Sequence, residues 1–158
     1  FQQKNGLNVD GVVGEKTLIA LGINSSSSDG KNSGNTTNSS SNNSDLYLLA
    51  KLVHAEARGE TYRGKVAVAA SVLNRVKSSS FPNTIAGVIY QKGAYTCVDD
   101  GQINLSPDAE SKKAAQDAIN GWDPTSGCIY YFNPNTATSG WIWTRPQVLT
   151  IGKHIFCK

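Results

Sequence analysis

The segment His54-Ala55-Glu56-Ala57-Arg58-Gly59-Glu60 places a carboxyl group on the apolar side of a helix, just before a glycine that breaks it. Stepping back along that helix, Glu56 shares its stripe with Leu49, Leu52 and Val53, a periodicity that marks a buried face. Burial disfavours the ionised form, so the pattern predicts a raised pKa at Glu56, the property of a general acid. The competing reading is that Glu56 reaches solvent or pairs with Arg58 or Arg63, because structural ion pairs also perturb pKa values. Glu60 is expected to be a solvated partner of the same arginines. Were the helix to continue past Gly59, the like charge of Glu60 would help keep Glu56 protonated.

A carboxyl tuned in this way suits cleavage of a glycosidic bond, which normally takes a proton donor and a second carboxylate. Glu60, Asp99, Asp100 and Asp108 are available as the second group. When a hydroxyl of the substrate itself attacks the oxocarbenium-like centre, one carboxyl suffices. It protonates the leaving oxygen and then removes the proton of the attacking hydroxyl. A lone buried glutamate fits that scheme better than a pair.

Metal and thiol chemistry are the rivals. His54-Ala55-Glu56 matches the His-x-Glu half of a zinc deaminase pattern, but neither Pro-Cys-x-x-Cys nor a two-histidine zincin helix occurs. A zinc site would need His54, His154, Cys97 and Cys128 to converge from distant positions, so His54 is expected at the polar edge of its helix with a backbone or carboxylate partner. The three cysteines, Cys97, Cys128 and Cys157, form no Cys-x-x-Cys pair and are expected mostly as buried free thiols. Cys97, in a glycine-bearing loop, is the one candidate nucleophile among them, though no activating motif adjoins it.

The elements that must position these residues can be read from periodicity. Ser44 or Asp45 caps a helix to about Ala57 with Leu46, Leu49, Ala50, Val53 and Ala57 on one face, and a second helix from about Tyr62 to Lys77 carries Val66, Ala69, Ala70, Leu73 and Val76. These two are expected to form the core pair. A short helix over Thr84 to Gln91 follows. Ser106-Pro107 then starts a helix ending near Asn120-Gly121, and Lys92 to Leu105 between them reads as a long loop or small hairpin on a cleft wall. Cys128 to Phe132 is strand-like, and Ser139 to Thr144 is expected to be extended, which would put Trp141 and Trp143 on the same side. Core packing is expected for Trp143, whereas Trp141 is open to either core packing or an aromatic platform.

Composition bounds the rest. The 158 residues carry a net charge of +3, with charges scattered singly and no Lys/Arg cluster of the kind that tracks a phosphate backbone, so nucleic acid is not an expected partner. No apolar run approaches the ~20 residues of a membrane span, and the first residues lack the basic-then-apolar order of a signal peptide, so any export signal is expected upstream. Residues 24–44 are almost entirely Ser, Asn, Gly and Thr and read as a flexible tether, leaving 45–158 as the one sizeable domain. Residues 1–23 are too short to fold well alone. Their run Phe1 to Thr17, with an Asp10-Gly11 turn, resembles the C-terminal part of the peptidoglycan-binding domain found on wall hydrolases.

Three stretches together carry a wider resemblance: Leu49 through Asn74, Gly93 through Asn104, and Tyr131-Phe132-Asn133-Pro134 through Trp141-Ile142-Trp143-Thr144-Arg145-Pro146. In this order they closely resemble the spore cortex-lytic enzymes, over nearly all of residues 45 to 158. The resemblance implies an α+β, lysozyme-like, mainly helical fold with a small β element. It further implies a lytic transglycosylase acting on cortex peptidoglycan with muramic-δ-lactam, leaving 1,6-anhydromuramoyl ends, with Glu56 as catalytic acid-base and no cofactor. It places the protein outside the cytoplasm, in the spore cortex or wall, as a monomer held in check by an inhibitory protein partner. Tyr95, Thr96, Asp99 and Asn133 are the expected polar cleft residues, and Tyr131 and Trp141 the expected stacking residues. Turn capping by Asp99 and Asn133 and core filling by the aromatics are the alternatives at those positions. Ala94-Tyr95-Thr96-Cys97 stands where the family often has Gln-Phe-Ser-Pro, a departure that bears on glycan contacts. The alternatives in function are a hydrolytic muramidase with a second carboxylate and a non-catalytic wall-binding protein.

Overall fold

The structure, a computed structural model, describes residues 36–158 and the side chains of residues 42–158. The expected peptidoglycan-binding fragment and the first part of the expected tether lie outside the described residues. In chain order the elements are α1 (Thr36–Glu56), α2 (Tyr62–Lys77), α3 (Ile85–Ile89), α4 (Thr96–Asp99), a 3-10 turn (Gln102–Asn104), α5 (Ala109–Ile119), β1 (Tyr130–Phe132), α6 (Gly140–Trp143), β2 (Gln147–Ile151) and β3 (His154–Cys157). This is the expected α+β architecture, helices with one small sheet.

The first helix buries the face that its periodicity announced: Leu49, Ala50, Leu52, Val53 and Ala57 have no exposed surface. It starts earlier than Ser44 or Asp45, at Thr36, so the last residues of the expected tether are helical. Ser, Thr and Asn are only modestly poor helix formers, and a helix already nucleated by its packed turns extends through them at small cost. Its end is as expected. Gly59 takes a left-handed φ of +87°, and Glu60 N donates to Ala57 O at 3.0 Å.

Helix α2 has the predicted bounds, with Thr61 Oγ1 accepting from Gly64 N at 3.2 Å as its cap. Gly64 through Val72 are buried on every side, the mark of a helix that runs through a core rather than over it. The expected core pair is in fact a trio, because α5 packs against both α1 and α2 more extensively than those two pack on each other. Ala114, Ala115 and Ala118 on α5 are small enough to allow that approach.

Helix α5 begins at Ala109, later than the Ser106-Pro107 reading, because Asp108 is its cap: Oδ1 accepts from Ser111 N at 2.8 Å. The segment from Lys92 to Leu105 is neither loop nor hairpin but two short helical turns. Gly93 and Gly101 take left-handed φ values of +74° and +85° on either side of α4, and Asp100 Oδ1 accepts from Gln102 N at 3.0 Å.

The sheet is antiparallel in the order β1-β3-β2, with Tyr131 opposite Phe156 and Ile151 opposite His154. Two side chains of α2 fasten β1 to the helices. Arg75 Nε donates to Ile129 O at 2.6 Å while its guanidinium lies over the rings of Phe81, Tyr95 and Tyr130 at 5.1–5.3 Å. Asn74 Nδ2 donates to Cys128 O at 3.0 Å and to Asp123 Oδ2 at 2.9 Å. Asp123 also accepts from Thr125 N and Oγ1 and from Gly127 N, which shapes the tight turn into β1.

Burial alone would raise the Asp123 pKa, but the hydrogen bonds from Thr125 and Asn74 outweigh it and hold the carboxyl below its ordinary value. With the native pKa depressed, the carboxylate contributes stability above the unfolded-state value and loses it as pH falls through the native one. Asp123→Ala is therefore expected to destabilise the domain by about 2 kcal/mol at neutral pH, and by less as pH drops below 4, in urea unfolding followed by circular dichroism.

Candidate active site

Glu56 closes α1 and Tyr131 sits in the middle of β1, and the two meet: Tyr131 Oη donates to Glu56 Oε2 at 2.8 Å. The residues one turn back, Leu52 and Val53, are fully buried, whereas Glu56 is only half-buried. The carboxyl thus stands where the core meets solvent, within reach of a substrate. Burial, and then the charge of Glu56, push the Tyr131 phenol well above its usual range, so its hydroxyl remains a proton-bearing donor.

Behind this contact lie Tyr95 and Cys97, both buried. Burial first, and the nearby charge of Glu56 as well, push Tyr95 up to about 12. Burial followed by the Glu56 charge does the same to the Cys97 thiol, also up to about 12. A thiol in that state is a poor nucleophile, which removes the expectation of Cys97 as one. All three cysteines are buried free thiols.

The other sequence-predicted residues fall in three places. Thr96 and Asp99 lie on α4, exposed and flanking Cys97. Asn133 turns the chain after β1: Oδ1 accepts from Asn135 N at 2.9 Å, and its carbonyl accepts from Thr136 N and Ala137 N, so the capping alternative is the one realised. Trp141 is exposed and meets Tyr130 edge-on at 5.1 Å, with the Arg145 guanidinium 5.5 Å from its ring. Tyr131 is no open stacking surface. Its ring packs between His154 and Phe156, and its hydroxyl is committed to Glu56.

The tryptophans correct two expectations. Gly140 to Trp143 is a short helix, so residues two apart point to opposite sides instead of sharing one. Trp143 is exposed and rests on Phe132 at 4.8 Å rather than filling the core.

Glu60 is the larger correction. Its side chain is buried against the turn between β2 and β3, close to His154, and not solvated beside Arg58 or Arg63. No pattern near Glu60 announced this, because its partners lie some 90 residues away. His54 Nδ1 lies 3.5 Å from Asp108 Oδ2, an ion-pair distance without a hydrogen bond. Among the described residues no three of His, Cys, Asp and Glu are grouped so as to hold a metal ion.

A half-buried acid at the end of a helix, held by a phenol from a small sheet, defines a class of protein that the sequence comparisons make specific. The family described as Cell Wall Hydrolase matches residues 59–157, and that described as a putative peptidoglycan binding domain matches residues 1–21. The chain is 50% identical to the spore cortex-lytic enzyme of Bacillus cereus, over all of this chain and 70% of that protein. It is 58% identical to the spore cortex-lytic enzyme of Bacillus subtilis, over 73% of this chain and 38% of that longer protein. Among solved structures, the catalytic domain of the germination-specific lytic transglycosylase SleB from Bacillus anthracis is similar with a TM-score of 0.70 and 63% identity, covering 72% of this chain and 93% of that one. The SleB catalytic domain of Bacillus cereus gives 0.69 and 57%, covering 83% and 100%. The chain belongs to the cell wall hydrolase family, among the spore cortex-lytic enzymes, and has their lysozyme-like α+β fold.

The buried thiols supply a direct check on the packing behind Glu56. In a titration with an aromatic disulfide at neutral pH, the native protein is expected to react slowly at all three cysteines and the denatured protein rapidly at three per chain. Fast native reaction confined to Cys97 would mean that the region behind Glu56 is open.

Proposed function

We propose that the protein cleaves the glycan of spore cortex peptidoglycan as a lytic transglycosylase, with Glu56 as the single acid-base. The observation that carries this reading is the Tyr131 hydroxyl donating to one oxygen of the Glu56 carboxyl, which fixes a half-buried acid at the edge of the core. In the first step Glu56 protonates the glycosidic oxygen as the bond to the muramoyl C1 breaks. The resulting carboxylate keeps the Tyr131 hydrogen bond, which strengthens as negative charge develops. It then takes the proton of the substrate's own 6-hydroxyl as that oxygen bonds to C1, closing the 1,6-anhydro ring and restoring Glu56.

Three of the four candidate second carboxylates are engaged elsewhere, which supports a one-carboxyl scheme, while Asp99 stands exposed on α4. Glu60 accepts from Lys153 N, Asp100 from Gln102, and Asp108 caps α5 beside His54. The catalysis needs no cofactor, because proton transfer and an internal hydroxyl complete it. Trp141 offers an exposed face for a sugar ring, and Thr96 and Asp99 offer polar groups to N-acetyl and hydroxyl substituents. Tyr95 is buried and Asn133 is bound in its own turn, so in this reading both shape the cleft wall rather than grip the glycan.

The protein acts outside the cytoplasm on cortex or wall, and no helix among the described residues is long and apolar enough to cross a membrane. Muramic-δ-lactam as the recognised sugar, residues 1–23 as a wall-binding fragment joined through the polar tract ahead of α1, a monomeric state and an inhibitory protein in the dormant spore complete the proposal. Purified cortex incubated with the parent protein should release fragments with anhydromuramoyl ends, and Glu56→Gln should release none while still sedimenting with cortex. Release by Glu56→Gln at the parent's rate would end the acid-base assignment. Trp141→Ala is expected to raise the amount of cortex needed for half-maximal rate about tenfold, with little change at saturation, read from initial rates of release.

A further inference from the structure

Glu60 and His154 form a buried pair that the acid-base reaction does not use directly. Their side chains are 7% and 11% exposed, and Glu60 Oε1 lies 3.9 Å from His154 Nδ1, an atom that is buried without a hydrogen-bond partner. The Glu60 carboxylate also accepts from Lys153 N through both oxygens, at 3.3–3.4 Å. Gly152 makes this approach possible: a Cβ there would stand 1.9 Å from Glu60 Oε2. The His154 ring meets the Tyr131 ring edge-on at 5.0 Å, and Tyr131 donates to Glu56. A continuous path therefore runs from Glu60 through His154 and Tyr131 to Glu56.

Resting on the reading of Glu56 as the acid, we propose that Glu60 and His154 are positioning residues, which seat the Tyr131 ring so that its hydroxyl stays on Glu56. Glu60 follows directly on the turn that ends the Glu56 helix, and His154 opens β3, the strand that pairs with β1. The pair thus ties the two elements that carry Glu56 and Tyr131 at a second point. Closing the gap of 3.9 Å by about an ångström would turn the pair into a charge-assisted hydrogen bond, the kind of tightening that substrate binding brings to catalytic contacts. Small errors in the placement of a catalytic group are enough to lower turnover tenfold or more.

Two near-isosteric variants test this. Glu60→Gln keeps an acceptor for Lys153 N and removes the charge, and His154→Phe keeps a ring against Tyr131 and removes Nδ1. Each is expected to slow fragment release from saturating cortex about tenfold, with the half-saturating amount of cortex unchanged. In a Tyr131→Phe background the further loss should vanish, because the pair acts through that hydroxyl. Equal losses in both backgrounds, or full activity in both folded variants, would overturn the proposal. A readout without turnover separates failure here from failure of the acid-base reading: in protein labelled at the tyrosine ring carbon bearing oxygen, the Tyr131 resonance should shift in Glu60→Gln. An unmoved resonance sinks the proposal even if Glu56 is the acid.

Discussion

The hydrogen bond from Tyr131 to Glu56 joins the two layers of the domain at the point where chemistry can occur. Glu56 comes from the end of a helix whose inner face is fully buried, and Tyr131 from a three-residue strand that has little to hold it by itself. For the contact to be reproducible, both elements have to be fixed to the same frame. The helical trio supplies the frame. One of its members, α2, sends Asn74 and Arg75 to the carbonyls of Cys128 and Ile129, the two residues that lead into β1. The position of a phenol on an acid is thereby set by side chains on a third element, which touch neither group's polar atoms.

The same economy appears in the electrostatics. Tyr131, Tyr95 and Cys97 are all groups that ionise only at high pH, and burial together with the Glu56 charge moves each of them higher still. Beside Glu56 the protein has placed the hydroxyl and thiol groups of Tyr131, Tyr95 and Cys97. The buried Arg75 guanidinium lies over the rings of Tyr95 and Tyr130.

What could be read from the chain was local and periodic. The apolar faces of α1 and α2, the Gly59 stop and, within the strand-like Cys128 to Phe132 segment, the strand over its last three residues followed from spacing and from conformational preference. Glu56 itself was legible because helical periodicity tells which residues share a face. The partner of Glu60 was not, since it depends on the β2–β3 turn reaching back across the fold, and nothing in the sequence around Gly59 encodes that distance. The tryptophans failed for a different reason. Ser139 to Thr144 is too short for periodicity to separate a helical turn from an extended arm, so the side each indole faces was undetermined. Asp108 took the cap of α5 ahead of Ser106 because it stands nearest the first helical residue, a competition among neighbours that propensity alone does not resolve.

The central claim is that one carboxyl, steadied by Tyr131, completes the reaction with a hydroxyl of the substrate and without water. Digestion of purified cortex in water enriched in oxygen-18, followed by mass spectrometry of the new muramoyl ends, tests it most directly. The account predicts anhydro ends carrying no heavy oxygen. Reducing ends that carry one oxygen-18 would show that water is the attacking group, that a second carboxylate activates it, and that the single acid-base described for Glu56 is the wrong mechanism.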